Sequence, residues 1–417
     1  MIRPALWNFG SFVVVALAGL VLNLAIGRFY GPATLGDFNL AVAVYIVASQ
    51  IATQGVQFAM LRAISLAAHE QADRETIGVI ASSGLAVVLA SAILVALATL
   101  ALTPLLGWIY DSAGLRTGIV ILACGLPFFA LNKALLATLN GLGRLEQYAI
   151  GQALRYIFII GWLLAWLGFG WPGDTLAATL TLSEVLLALV LTTMVRRRAR
   201  LSPTLIDRGQ ARELHRFGLR AMWSGAVSEV NTRIDILVLG LFASQSTVGV
   251  YSIVALIFEG LMQLPFVLRT VVNARLSVLA TPERQDELRV ELRPVKLLAF
   301  GAMAACAIIA IAIYPVFVHV VLADARFEAA WLPLGILVVG LAIASPYLPL
   351  DFLLSQGGAP WAQSQLRFWV AGANLLLNLA LVPFLGMTGA ALATAIATVF
   401  GSVMTAVLAR RVLGVRV

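Results

Sequence analysis

RRRARLSPTLIDRGQARELHRFGLR, residues 196–220, is the longest polar stretch in the chain and sets eight arginines against Asp207 and Glu213. Outward from it the sequence is apolar in both directions. A bilayer crossing takes about 20 apolar residues. On that measure six spans precede the stretch, near residues 5–27, 37–60, 78–103, 118–139, 148–169 and 174–195. Six follow it, near 218–242, 248–270, 297–321, 331–354, 364–384 and 387–409. Pro203 and Gly209 predict that no stable helix runs through the polar stretch. It reads as a basic cytoplasmic linker, residues 201–216, between an N-terminal bundle (1–200) and a C-terminal bundle (217–417). The same composition fits a solvated basic face lying on anionic headgroups.

Composition agrees with this division. Of 417 residues 61% are hydrophobic and 12% charged, and the mean hydropathy is +0.96. A soluble catalytic domain, a nucleic-acid-binding domain and a secreted disulfide scaffold are thereby excluded. A transmembrane β-barrel is excluded because barrels show short alternating segments, not unbroken apolar runs. The expected fold is an all-α polytopic membrane protein with twelve transmembrane helices in two six-helix bundles.

The net charge of +8 would suggest a nucleic-acid partner in a soluble protein. Here the charges sort by side. With the N-terminus inside, about 24 of the 28 Lys and Arg residues fall in cytoplasmic loops or helix ends. Arg28, Arg116 and Arg326 fall outside, and Arg233 stays within a span. This asymmetry predicts that both termini are cytoplasmic. The start, Met-Ile-Arg-Pro, has no small-residue cleavage site, so helix 1 is expected to act as its own insertion signal. Cys124 and Cys306 read as buried thiols, and His69, His215 and His319 show no metal-ligand spacing. The two lysines, Lys133 and Lys296, follow no glycine-rich phosphate loop. No metal and no cofactor are expected.

The two halves carry matching residues. Phe9-Gly10 recurs as Phe217-Gly218 and Asn23 as Asn231, both at an offset of 208. Gly36-Asp37-Phe38 recurs as Gly249-Val250-Tyr251 at an offset of 213, and Leu176-Ala177-Ala178-Thr179 meets Ala391-Leu392-Ala393-Thr394. Their shared order predicts a duplicated six-helix half. Six is even, so both copies would enter the membrane the same way, with a cavity between the bundles.

Ionisable residues inside spans are costly and mark candidate sites. Helix 7, WSGAVSEVNTRIDILVLG (223–240), carries Glu229, Arg233 and Asp235. A continuous helix would put Glu229 and Arg233 on one face and Asn231 and Asp235 on another. One reading is a self-neutralised pair that holds the bundle together. The other is a cavity where Arg233 accepts an anionic headgroup and a carboxylate exchanges a proton. Glu184 and Glu259 are further mid-span acids, and Asp351 reads as interfacial. Lys133 and Arg155 lie near cytoplasmic ends, where both can snorkel to water. Arg28 lies at the outer end of helix 1.

Three stretches carry a resemblance. NLAIGRFYGPATLGDFNLA (Asn23–Ala41) resembles the first-hairpin signature of bacterial polysaccharide and O-antigen flippases, within the multidrug/oligosaccharidyl-lipid/polysaccharide (MOP) exporter superfamily. RIDILVLGLFASQSTVGVYSIV (Arg233–Val254) is similar to the family's passage from helix 7 to helix 8. NLLLNLALVPFLGMTGAALATAIAT (Asn374–Thr398) is similar to its penultimate hairpin. The resemblance implies a MATE-like, two-bundle inner-membrane flippase. It would move an undecaprenyl-diphosphate-linked oligosaccharide outward by alternating access, with a proton or Na+ as coupling ion, and with membrane lipids and other polysaccharide-assembly proteins as partners. Arg28, Asp235, Gly31, Gly36 and Gly249 match the motifs, with Asn23, Pro32 and Asn231 beside them. Glu184, Glu229 and Glu259 rest on the span reading alone, and Arg233 and Lys133 complete the candidate cavity residues. The glycines also read simply as turn residues.

Two rivals stay open. A cation-coupled multidrug antiporter of the same superfamily would share the fold and the intramembrane acids, although its cavity would be dominated by carboxylates. A membrane-embedded polysaccharide polymerase or acyltransferase would carry a large outer loop or an intramembrane histidine, and neither is apparent.

Overall fold

The computed structural model describes residues 2–279 and 282–415. Side chains of residues 1–13, 16, 223–225, 270, 271, 273–275, 277, 278 and 282, and with them the Phe9-Gly10 element of the repeat, lie outside the described residues. The described chain is helical throughout, without a strand. Nine of its helices are long and apolar enough to cross a membrane.

The first helix, α1 (Ile2–Thr53), is 52 residues long, about 78 Å at 1.5 Å per residue and more than twice the hydrocarbon thickness. It is folded back at Gly31, which takes φ 84° and ψ 173°, a conformation that side chains with a Cβ rarely adopt. Pro32 follows at the turn. The Asn39 amide donates to Asn23 Oδ1 at 2.9 Å although 16 residues separate them, so the two arms lie side by side. The second arm ends at Thr53 and not near residue 60, because Gln54 (φ 47°) and Gly55 (φ 67°) break it before α2 (Val56–His69). Next come α3 (Arg74–Ile109), α4 (Ala113–Gly141), α5 (Leu145–Phe169) and α6 (Ala178–Arg196).

The polar stretch is partly helical, contrary to its sequence reading. Asp207 accepts from the Gln210 amide at 2.6 Å and starts α7 (Arg208–Asn231), so Gly209 sits in a first helical turn, where glycine costs little. The segment before it is pinned to α3, with the Ser202 amide on Ser82 Oγ and the Asp207 amide on Ser83 Oγ.

The chain then breaks at Thr232–Arg233 before α8 (Ile234–Phe242) and α9 (Gln245–Leu279). The acidic-basic segment 285–296 opens α10 (Gln285–Phe317). The span expected over 331–354 ends early as α11 (Trp331–Ala344), followed by a 3-10 turn and the short α12 (Leu353–Gln356). Finally α13 (Pro360–Val412) runs 53 residues and folds back at Gly386 (φ 54°).

Two compact units result: Met1–Tyr30 with Asp37–Val230, and Gly31–Gly36 with Asn231–Val417. Within each, small residues let helices approach closely, as at Gly125 against Thr181 and Gly340 against Ala395. Outward faces are apolar, with Leu94 and Ile308 about two-thirds exposed, as hydrocarbon surroundings require. Cys124, expected buried, lies on such an exposed surface.

Candidate functional site

In the first unit the mid-span acid Glu184 is 2% exposed, on α6. A carboxylate at that depth needs partners. Arg155 of α5 supplies a fork, with Nε 2.7 Å from Oε1 and a terminal nitrogen 3.3 Å from Oε2. Asn132 of α4 donates to Oε2 at 2.8 Å and to the Glu184 carbonyl at 2.9 Å. Arg155 therefore does not snorkel. It is held inward by the acid, and its guanidinium stacks over Phe129 at 4.9 Å. Lys133 lies over the same ring at 4.8 Å, within electrostatic reach of Glu229 and Glu184. Tyr45 packs its ring 5.2 Å from Phe129. Glu184 thus belongs to a closed triad, whereas Lys133 is half-buried beside it and Glu229 is exposed.

In the second unit the break between Asn231 and Ile234 undoes the faces expected of helix 7. A continuous helix would have aligned Glu229 with Arg233; instead Arg233 (φ −120°) turns toward α9 and meets Glu259 at 3.3 Å. Asp235 does not pair with Asn231. It sits in the first turn of α8, 7% exposed, where the helix dipole favours an anion. Its Oδ1 accepts from the Ile236 amide at 2.8 Å and its Oδ2 from the Tyr251 hydroxyl at 2.7 Å. Asn231 accepts from Asn374 of α13 at 3.1 Å, and Asn374 accepts from Asn378 at 3.0 Å. Those two asparagines escaped the sequence reading, although a four-residue Asn spacing inside an apolar span was a usable signal.

A third cluster was also missed. Arg269 of α9 and Arg367 of α13 both reach Asp351 Oδ2, at 3.2 and 3.4 Å, and both stack on Phe352. Read singly, these arginines are only inside-positive charges; the fold joins them around one carboxylate.

The motif residues divide by role. Gly31 is a turn residue. Gly36 and Gly249 are not, since both are helical and face each other across a crossing. A Cβ on Gly36 would be driven into the Gln245 carbonyl, and one on Gly249 into the Pro32 carbonyl. Asn23 ties the α1 hairpin by accepting from Asn39 and donating to Gly19 O at 2.9 Å. Arg28 is exposed close to the Gly31 turn.

Apolar helices of spanning length with ion pairs among them define a multi-pass membrane protein. The sequence profile of the polysaccharide biosynthesis protein family matches residues 80–330, more than half of the chain, and the chain belongs to that family. No curated protein sequence matches it. Its fold is shared with a MATE-family multidrug resistance transporter of the MOP superfamily, solved inward-facing, at a TM-score of 0.78 and 15% identity over 96% of this chain and 94% of that one. The lipid II flippase MurJ, in an inward closed conformation, is similar at a TM-score of 0.77 and 15% identity, over 97% and 87%. A MATE structure in its straight conformation gives 0.62 at 16% identity, over 99% and 95%.

Proposed function

We propose that this protein is a flippase of the bacterial inner membrane that moves an undecaprenyl-diphosphate-linked oligosaccharide to the outer leaflet by alternating access, for O-antigen, exopolysaccharide or capsule synthesis. The observation that carries this reading is membership of a polysaccharide biosynthesis family by a chain built of membrane spans that bear cations. A glycan assembled on a lipid inside the cell must cross the membrane with a charged diphosphate. Arginine's planar fork and lysine's ammonium compensate that charge in a low-dielectric setting. Lys133 in the first unit and Arg233 in the second are the cations assigned to this task, with Arg28 at the outer end. Glu229, Glu259 and Asp235 are the carboxylates assigned to a coupling proton or Na+. Glu184 is assigned to holding α4, α5 and α6 together.

Twelve crossings with cytoplasmic termini belong to the same reading. Among the described residues nine helices are of spanning length, α1 and α13 each count twice as hairpins, and the interrupted pair α7–α8 supplies the remaining crossing. The two halves are then copies of one six-helix unit.

The test is leaflet exchange of a fluorescent undecaprenyl-diphosphate oligosaccharide by the full chain in proteoliposomes, with and without a pH gradient. Exchange that accelerates with the gradient and fails in Arg233→Gln supports the assignment. Absence of exchange, together with gradient-driven efflux of a cationic dye, would replace it with the multidrug-antiporter reading.

A further inference from the structure

Around the cytoplasmic end assigned to the second unit, four arginines have acidic partners among the described residues. Arg269 and Arg367 share Asp351, Arg284 holds Glu287 at 2.9 Å, and Arg289 reaches Asp286 at 3.8 Å. Two cations differ. Arg293 has no acidic partner among the described residues, and Lys296 rests its ammonium on the Tyr347 ring at 4.2 Å, a contact that orients it without neutralising it. Both lie on the opening turns of α10, three residues apart and hence on one face. They line a recess of about 350 Å³ together with Arg289, Leu292 and Leu297. That size falls within the range of small-molecule sites. Its floor is fixed, because Leu292 is 3% exposed in an apolar cluster with Val272, Leu276, Leu350 and Leu353. Its rim is greasy, because Val290, Leu297 and Leu298 on the same helix are 76%, 63% and 59% exposed.

We propose that this recess is a docking site for the diphosphate headgroup of a polyprenyl lipid, separate from the charged groups assigned to translocation. Two uncompensated cations on one helix face match the two phosphates of such a headgroup, and a single-phosphate phospholipid would satisfy only one. The exposed apolar rim lets the isoprenoid chain stay in hydrocarbon while the headgroup enters the recess. Arg293 would bind phosphate oxygens through its fork, and Lys296 would act as a point charge held in place by Tyr347. The assignment of ligand class rests on the flippase reading; the existence of an anion site in the recess rests on the geometry alone.

The test uses the purified full chain in nanodiscs and farnesyl diphosphate as the probe, with farnesyl monophosphate and phosphatidylglycerol as comparisons. Removing one charge-assisted contact weakens binding about tenfold. Arg293→Gln and Lys296→Gln are each expected to lose about that factor for farnesyl diphosphate and to lose less for the monophosphate. Lys296→Arg is expected to retain binding, and the variants should melt with the wild type, which separates a docking role from a structural one. Unchanged farnesyl diphosphate affinity in both Gln variants overturns the proposal. So does an equal loss for phosphatidylglycerol, which would make the recess a general anionic-lipid surface. If the wild type binds farnesyl diphosphate at the recess yet flips no lipid-linked glycan, the flippase reading fails and the site stands.

Discussion

Gly249→Ala tests the packing that sets the crossing of α9 with the segment 32–36. The added methyl would be driven into the Pro32 carbonyl oxygen, with Gly36 N and Pro32 C each 2.8 Å away. Ordinary heavy-atom contact is about 3.5–4.0 Å, so the neighbours stand roughly 0.7–1.2 Å too close. All three are backbone atoms, and none can rotate aside. Overpacking costs about 1–3 kcal/mol, and a clash confined to backbone belongs at the upper end, about 3 kcal/mol. For a unit of this size 1 kcal/mol moves Tm by about 2–4 °C, so a fall of about 6–12 °C is expected. Gly260, on the same helix, has nothing within 4 Å of its would-be Cβ. Gly260→Ala should therefore be neutral or gain up to about 1 kcal/mol from helix propensity. The assay is thermal unfolding of the detergent-purified chain by intrinsic tryptophan fluorescence. A Gly249→Ala variant that melts within about 2 °C of wild type, or a Gly260→Ala variant that falls as far, would refute the argument.

Other predictions follow the same geometry. Arg155→Ala leaves the Glu184 carboxylate buried without its cation and should cost about 3–5 kcal/mol, visible in the same melt; the paired change Arg155→Met with Glu184→Met should cost less, and equal losses would count against a closed ion pair. Tyr251→Phe removes the donor to Asp235 Oδ2 and should cost about 1–3 kcal/mol; if Asp235 also carries the coupling ion, the gradient dependence of lipid exchange should change in Asp235→Asn while Asn374→Ala leaves it in place. At the loop before α11, hydrogen bonding to Arg326 holds the Asp324 carboxyl below its usual value of 3.8. Because the folded value is depressed, its stabilisation is present above about pH 4 and is lost as pH falls through the folded value. The protection of residues 323–330 relative to intrinsic exchange at each pH should fall on acidification in wild type, and Asp324→Asn should show the low protection at every pH.

The sequence by itself determined the membrane class, the placement of most spans and the family resemblance, because apolar runs of bilayer length have few other stable outcomes. It also marked the acids and cations in those spans, since each is costly there and stands out by composition. Partner choice was another matter. Helical periodicity aligned Glu229 with Arg233, but it is blind to a break of one or two residues, and once α7 ends at Asn231 the chain turns Arg233 toward Glu259. Arg155 looked free to snorkel because its acid lies 29 residues away on another helix. Gly36 and Gly249 looked like turn residues, since nothing local in either sequence announces that a second backbone arrives there. Local pattern carries hydrophobicity, length and cost. The pairing of charges and the closeness of helices are set by contacts between distant segments, and only the tertiary structure decided them.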